Sequence, residues 1–184
     1  MKRRGLKAPL LIITDGGGGL LAAVEACFPD VPRPHCTKHK LAHILAKVPK
    51  REQAEVADAA RRVLYAPMHA QAEEALLLFG RAYRKRFPSA VEGLHRDLEA
   101  CWTYYRFPVS HWKRIQTTNG LERSFREVRR RVREVGRFQD EMRALALVHA
   151  LLQEAQAGWP RLAMTPEAQR ILVAMRAQQQ AKAA

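Results

Sequence analysis

The stretch Leu10-Leu11-Ile12-Ile13-Thr14-Asp15-Gly16-Gly17-Gly18-Gly19 decides the fold class that the sequence predicts. Its first five residues are an apolar, partly β-branched run, which is typical of a buried strand. The run ends at Asp15 and four glycines, and a glycine cluster of this kind marks a tight loop. The sequence therefore predicts a buried strand that leads directly into a loop.

The signals that follow extend this start into an α/β unit. A helix is predicted over residues 20–28, and a basic helix over residues 38–47 ends before Pro49. Residues 31–36 between them can form at most a short edge strand, because their prolines remove ladder donors. The order strand, loop, helix, strand, helix predicts an α/β fold with two short strands. We expect the first strand to expose an unpaired apolar edge.

The composition limits the classes of protein that fit. The chain has 184 residues, with 32 Lys and Arg against 18 Asp and Glu, so its formal net charge is +14. Its 47% hydrophobic and 27% charged residues are typical of a globular protein of one domain, or one domain with a sub-domain. No apolar run approaches the ~20 residues that a membrane span needs, which argues against an integral membrane protein.

Charge and cysteine content indicate the partner and the compartment. A pI near 10.4 favours a polyanionic partner, with nucleic acid first and an anionic membrane surface second. Surface charge that serves solubility alone is the third interpretation. Cys27, Cys36 and Cys101 are odd in number and widely spaced, which favours a reducing compartment such as the cytoplasm over a disulfide framework.

Residues 51–106 carry helical periodicity only. A helix is predicted over residues 52–65, before Ala66 and Pro67. Two further amphipathic stripes follow at helical spacing: Ala72, Ala75, Leu76, Phe79 and Tyr83, then Val91, Leu94, Leu98 and Cys101. Three helices joined by short loops would form a small bundle inserted into the α/β part.

The most regular pattern lies downstream, in an arginine-rich helix that ends at Gly136. Its apolar positions step by 4, 3, 4 and 3 residues: Leu121, Phe125, Val128, Val132 and Val135. The remaining positions carry seven arginines: Arg123, Arg126, Arg129, Arg130, Arg131, Arg133 and Arg137. Glu127 and Glu134 compensate them poorly, so contact with phosphates is favoured over a merely solvated face. Further helices are predicted over residues 140–157 and from Thr165-Pro166 onwards.

Two carboxylates are candidate metal ligands. Asp15 follows the first strand, and carboxylates at such positions can bind Mg²⁺; the alternative is an Asp-Gly turn. Glu122 lies three residues after Asn119 and satisfies the capping-box spacing, so a structural role is favoured there. The alternative places Glu122 at the edge of the core, facing Asp15. The glycines after Asp15 match neither the phosphate-loop nor the dinucleotide pattern.

Two other groups have a functional and a structural interpretation. Cys36 and His39 are spaced like half of a zinc site, but no second Cys-x-x-Cys exists, so a buried thiol is favoured. Aromatic residues near the end of the helical region could stack on an unpaired base, whereas the lid of a helical core is the commoner role. They are Trp102, Tyr104, Tyr105, Phe107 and Trp112.

An ordered set of motifs resembles the C-terminal half of bacterial Mutator-type transposases of the insertion-sequence 256 group. It covers residues 4–159 in collinear order. The motifs are Arg4-Gly5-Leu6-Lys7, Leu11-Ile12-Ile13-Thr14-Asp15, Gly19-Leu20, Ala22-Ala23, Cys36-Thr37-Lys38-His39, Lys47-Val48-Pro49-Lys50, Tyr65-Ala66-Pro67, Phe87-Pro88-Ser89-Ala90, Arg114-Ile115-Gln116-Thr117-Thr118-Asn119 and Leu121-Glu122-Arg123.

The resemblance implies a ribonuclease-H-like recombinase that uses two Asp and one Glu with two Mg²⁺ (or Mn²⁺) ions. It assigns the second Asp to Asp15 and the Glu to Glu122, both as catalytic residues and metal ligands. The family signature falls on Cys36, His39, Thr117, Thr118 and Asn119. We assign contacts with DNA to Arg123, Arg126, Arg129, Arg130, Arg133 and Trp102.

The resemblance also implies an organisation and a function. We expect a partial ribonuclease-H-like core over residues 1–50 and an all-helical insertion over residues 51–110, with a mostly α content by residue count. The rest of the core would cover residues 111–160, and a C-terminal helix with a frayed tail residues 161–184.

The expected function is metal-dependent cleavage and strand transfer of transposon-end and target DNA, by an oligomeric, nucleoid-associated enzyme. The family's first Asp would lie upstream of Met1, so we expect this chain alone to be inactive. The alternatives are a non-catalytic nucleic-acid-binding domain and a glycine-loop nucleotide enzyme.

Overall fold

Helices account for most of the computed structural model, which describes residues 5–159 and 161–183. In chain order the α-helices are α1 (Gly18–Cys27), α2 (Thr37–Leu45), α3 (Gln53–Leu64), α4 (His69–Tyr83), α5 (Pro88–His95), α6 (Leu98–Trp102), α7 (Trp112–Ile115), α8 (Asn119–Val135), α9 (Glu141–Ala157) and α10 (Pro166–Ala183). Short 3₁₀ helices cover Lys50–Glu52, Thr103–Arg106 and Val109–His111.

The predicted α/β class, with two strands of a partial ribonuclease-H-like fold, is wrong. Within the described residues there is no strand, and the two extended segments meet in one isolated parallel bridge between Thr14 and His35. Thr14 N donates to Pro34 O over 3.1 Å, and Cys36 N donates to Thr14 O over 2.8 Å. The next rung would need an N–H at Pro34 to reach Ile12 O. Proline has none, so a second bridge does not form, although Ile12 N still donates to Pro32 O over 3.0 Å.

The apolar edge predicted for residues 10–13 is covered by the C-terminal helix. Leu172 and Met175 of α10 pack around the same buried cluster as this segment, formed by Tyr104, Phe107 and Ile115. Gln179 Nε2 donates to Pro9 O over 2.8 Å. The helix α10 continues through the glutamines to Ala183, and the fraying expected of its end stays a prediction.

The chain divides into two compact units. The larger unit holds residues up to 117 together with those from 163, and the smaller unit holds residues 118–162. The predicted domain boundaries stay predictions. No helix in the described part of the chain has the length and apolar character to cross a membrane.

The core of the larger unit lies in α3–α6, within residues 51–110, which we call the helical insertion after the resemblance. The predicted helical character of residues 51–106 is confirmed. Val56, Val63, Leu64, Phe79 and Leu94 are at most 2% exposed. Each lies on the apolar face of its helix, so the amphipathic pattern alone explains this packing.

The smaller unit is a hairpin of α8 and α9. The helices are antiparallel, because Trp159 Nε1 donates to Ser124 Oγ over 2.9 Å and Arg131 pairs with Glu154 over 3.1 Å. Gly136 follows α8 with a φ of +70°, which favours glycine. Asp140 caps α9, since its carboxylate accepts from Arg143 N over 2.8 Å.

Candidate metal and nucleic-acid site

Asp15 lies in an exposed loop between the bridge at Thr14 and the start of α1. Its Oδ1 accepts a hydrogen bond from Gly17 N over 3.0 Å, which forms the Asp-Gly turn that the sequence offered as the alternative to a metal ligand. Oδ2 has no hydrogen-bond partner among the residues that the structure describes. One carboxylate oxygen therefore shapes the loop, while the other is open to a ligand.

The first glycine of this loop is required by its surroundings. Gly16 has a φ of +88°, and a Cβ built there would lie 2.4 Å from Nε2 of His35. That nitrogen is also bonded to Asp15 O over 2.9 Å. The half-buried imidazole loses hydration, and this lowers the pKa of His35.

The signature around Cys36 and His39 begins α2. Cys36 is fully buried and is the N-cap residue, and His39 is half-buried one turn later. Thr37 was not singled out from the sequence, yet its backbone N and its Oγ1 both donate to Gln116 O over 2.9 Å. Its place between two motif residues was the only signal. Cys36 is thus a buried thiol, the interpretation that the sequence favoured, and zinc ligation with His39 stays the less favoured alternative.

Glu122 lies in the first turn of α8 and is half-buried. Thr118 is the N-cap residue and Asn119 the first helical residue, so the capping box predicted with Asn119 as cap is wrong. Thr118 Oγ1 donates to Glu122 Oε1 over 2.8 Å, and Glu122 N donates to Thr118 O over 3.0 Å. Thr117 precedes this turn. The signature residues thus include one that fixes the orientation of the Glu122 carboxylate.

Part of the positive charge on α8 is compensated along one flank. Arg130 and Arg131 both donate to Glu127, over 2.8 Å and 2.9 Å, and Arg131 also pairs with Glu154 of α9. Hydrogen bonds from Arg130 and then from Arg131 lower the pKa of Glu127 to about 2. Arg131 therefore joins α8 to α9, whereas Arg130 pairs within α8.

The opposite flank carries arginines that are not compensated. Arg126, Arg129 and Arg133 follow Glu122 at helical spacing, so the four residues form one stripe along α8, about 16 Å long. These three arginines are exposed and have no ion-pair partner among the described residues, and the same holds for Arg123. We call Arg126, Arg129 and Arg133 the arginine stripe.

Carboxylate oxygens are ligands that Mg²⁺ and Mn²⁺ prefer, so the chemistry of Asp15 and Glu122 fits either ion. Asp15 belongs to the larger unit and Glu122 to the smaller one. Their joint ligation of an ion stays a prediction.

Trp102 does not belong to a DNA-binding surface. The side chain is 4% exposed in the core of the helical insertion, and its Nε1 donates to Val63 O over 3.1 Å. Tyr104 and Tyr105 also donate their hydroxyl groups to backbone oxygens, those of Leu64 and Ala66. The aromatic cluster is therefore part of the core, because an indole buried on both faces cannot stack on a base.

Comparisons with known proteins support the resemblance found in the sequence. The family model described as "Transposase, Mutator family" matches residues 1–161. The transposase for insertion sequence element IST2 of Acidithiobacillus ferrooxidans is 36% identical over 160 residues, which are 86% of this chain and 54% of the relative. The transposase for IS6120 of Mycolicibacterium smegmatis is 32% identical over 158 residues, or 86% of this chain and 49% of the relative.

A third relative, the transposase for IS406 of Burkholderia multivorans, is 36% identical over 157 residues, or 85% of this chain and 40% of the relative. The chain thus spans about half the length, or less, of these relatives. The α10 helix begins after the matched residues. Since the family model covers most of the chain, this protein belongs to the Mutator family of transposases.

Proposed function

We propose that this chain is the part of a transposase that binds DNA along the arginine stripe and presents Glu122 to the bound backbone. The observation that carries the proposal is the shared stripe on α8, in a chain of a transposase family. Uncompensated arginines at helical spacing suit a row of phosphates, because guanidinium groups bind phosphate oxygens in pairs. The carboxylate at the end of that row would then face the nucleic acid.

The distribution of charge supports this placement. The helical insertion, taken as residues 51–110, has nine Lys and Arg against eight Asp and Glu, which leaves +1 of the total +14. Nearly all of the excess therefore belongs to the segments outside the insertion. Phosphate neutralisation supplies most of the non-specific affinity for DNA, so binding should depend on these segments.

A matched pair of triple variants tests DNA binding. Replacing Arg126, Arg129 and Arg133 by Gln removes the stripe, and replacing Arg62, Arg81 and Arg84 by Gln removes equal charge from the insertion. The affinity for duplex DNA is measured by fluorescence anisotropy at several salt concentrations. We expect the plot of log K against log salt to become less steep in the stripe variant, by about 0.9 per lost phosphate contact. The insertion variant should keep the slope of the wild type. Equal slopes for both variants would contradict the proposed interface.

We further propose that Asp15 and Glu122 hold Mg²⁺ or Mn²⁺ in the complete transposase. Bound divalent ions would stabilise the charge on the attacking and leaving oxygens during phosphodiester cleavage and strand transfer. The residues of this chain orient the participants. Thr118 fixes the Glu122 carboxylate, Gly17 fixes that of Asp15, and the arginine stripe fixes the phosphates.

We propose that the chain alone lacks strand-transfer activity, because the resemblance places the family's first Asp outside it. Oligomerisation on transposon ends is part of the same proposal. The test is incubation of the purified chain with labelled transposon-end DNA and Mg²⁺ or Mn²⁺. We expect no cleavage above background. Robust nicking that the Glu122→Gln variant abolishes would overturn the proposed inactivity.

A further inference from the structure

We infer that His35 is a positioning residue for Asp15, an inference that rests on the proposed role of Asp15 as a metal ligand. His35 Nε2 lies 2.9 Å from the backbone oxygen of Asp15. A carbonyl oxygen can only accept, so Nε2 carries the proton and donates it. The imidazole thus fixes the peptide that bears the candidate ligand, twenty residues away in sequence.

Gly16 makes this approach possible. The imidazole lies where the side chain of residue 16 would begin, since a Cβ there would be 2.4 Å from Nε2 and 2.5 Å from Cε1. The φ of +88° at Gly16 turns the chain so that Gly17 N can donate to Asp15 Oδ1. Asp15 is therefore fixed twice, at its carbonyl by His35 and at its carboxylate by Gly17.

The backbone around His35 is itself fixed by three hydrogen bonds. Pro34 O and Cys36 N on either side are bonded to Thr14, and His35 N donates to Ala100 O of α6 over 3.3 Å. The backbone that carries the imidazole is therefore bonded to the helical insertion and to the residue before Asp15. Metal ligands need such support, because small displacements of a ligand weaken a site.

Three substitutions of His35 that differ in the position of their N–H donor distinguish a positioning role from a packing role. His35→Gln keeps an N–H donor near the place of Nε2, His35→Asn places its donor near Nδ1, and His35→Leu has none. His43→Leu is the matched control, because its imidazole packs edge-on against His35 at 6.5 Å between ring centroids and is exposed. Asp15→Asn tests the metal site itself.

Two readouts are measured on the full chain: hydrogen exchange of the amides at residues 16–18, and affinity for Mn²⁺ alone. We expect His35→Leu and His35→Asn to exchange about three- to tenfold faster and to bind Mn²⁺ weaker by the same factor, which is the usual effect of one lost hydrogen bond. His35→Gln and His43→Leu should stay within twofold of the wild type.

The inference would be overturned if the amides of residues 16–18 exchanged at the wild-type rate in His35→Leu. It would also be overturned if His35→Gln and His35→Leu raised the exchange rates equally. Gly16→Ala is an independent check. Gly16→Ala should raise the exchange rates less in the His35→Leu background than in the wild type, because both changes break the same contact between residues 16 and 35. Fully additive effects of the two changes would count against the inference. If Asp15→Asn leaves Mn²⁺ binding unchanged, the proposed metal site is wrong, and the exchange rates still support or overturn the positioning role of His35.

Discussion

The helical insertion and the α8–α9 hairpin both consist of amphipathic helices, but they bury very different amounts of apolar surface. In the insertion, Phe79 is 2% exposed and Leu94 is fully buried. In the hairpin, Phe125 is 40% exposed and Met142 is 73% exposed. Among the described residues of the hairpin, the buried side chains are Ser124 and Val128.

The two regions therefore differ in how much of their stability comes from the burial of apolar side chains. The insertion has a closely packed interior, to which Ile44 and Val48 from outside it also contribute. The hairpin buries little apolar surface, and its two helices are joined by polar contacts such as the hydrogen bond from Trp159 to Ser124 and the ion pair between Arg131 and Glu154. Among the described residues, Arg126, Arg129 and Arg133 of the hairpin have no ion-pair partner, as the proposed DNA interface requires.

Replacing one phenylalanine in each region by alanine should give the strongest contrast in the free energy of unfolding. Phe79→Ala should destabilise the larger unit by about 3–5 kcal/mol, because it leaves a cavity in a packed core. Phe125→Ala should cost about 1 kcal/mol or less, because its side chain is already partly hydrated. Urea unfolding followed by circular dichroism measures both. Similar losses for the two variants would contradict the contrast.

One tryptophan in each region allows a second comparison of stability. Trp102→Phe should cost about 1–3 kcal/mol, since it leaves the buried Val63 O without its donor. Trp159→Phe should cost less than about 1 kcal/mol, because Trp159 is 46% exposed and water can replace the lost bond to Ser124. Thermal unfolding of both variants checks the order, and a larger loss for Trp159→Phe would reverse it.

The smallest effect concerns pH. The pKa of Glu127 lies at about 2 in the folded chain, against an ordinary value of 4.5. Because the folded pKa is lowered, the contribution of Glu127 is fully present above about pH 4.5 and is lost as the pH falls towards about 2. It is small, because the group is exposed.

An NMR titration of the Glu127 carboxyl carbon should give a midpoint near 2. The double variant Arg130→Gln, Arg131→Gln is the control, and it should move the midpoint up towards the ordinary value. A wild-type midpoint near the ordinary value would contradict the pairing.

Local pattern predicted the helices well. The apolar stripe of α8 and the glycine at its end fixed its bounds to within two residues, and Asp140 begins α9 as predicted. The N-cap of α8 was misplaced because Thr118 and Asn119 are adjacent and both suit that position. The two strands failed because Pro34 cannot donate the next ladder bond.

Contacts between segments that are distant in sequence could not be predicted from local sequence patterns. Coverage of residues 10–13 by α10 joins parts of the chain about 160 residues apart, and no periodicity predicts it. The burial of Trp102 likewise depends on which helices surround it. The roles of His35 and Thr37 in the candidate site were missed for the same reason, since each bonds a backbone oxygen of a remote segment.

The proposal that Asp15 and Glu122 together hold a metal ion at the bound DNA can be decided by measuring how Mn²⁺ changes the affinity for DNA. Binding of duplex DNA is measured with and without Mn²⁺ for the wild type, Asp15→Asn, Glu122→Gln and Glu92→Gln. The last variant removes the same charge from the exposed surface of the insertion. We predict that Mn²⁺ strengthens binding by the wild type and Glu92→Gln but not by the other two. An equal response to Mn²⁺ in all four proteins would contradict the metal site and favour a non-catalytic DNA-binding domain.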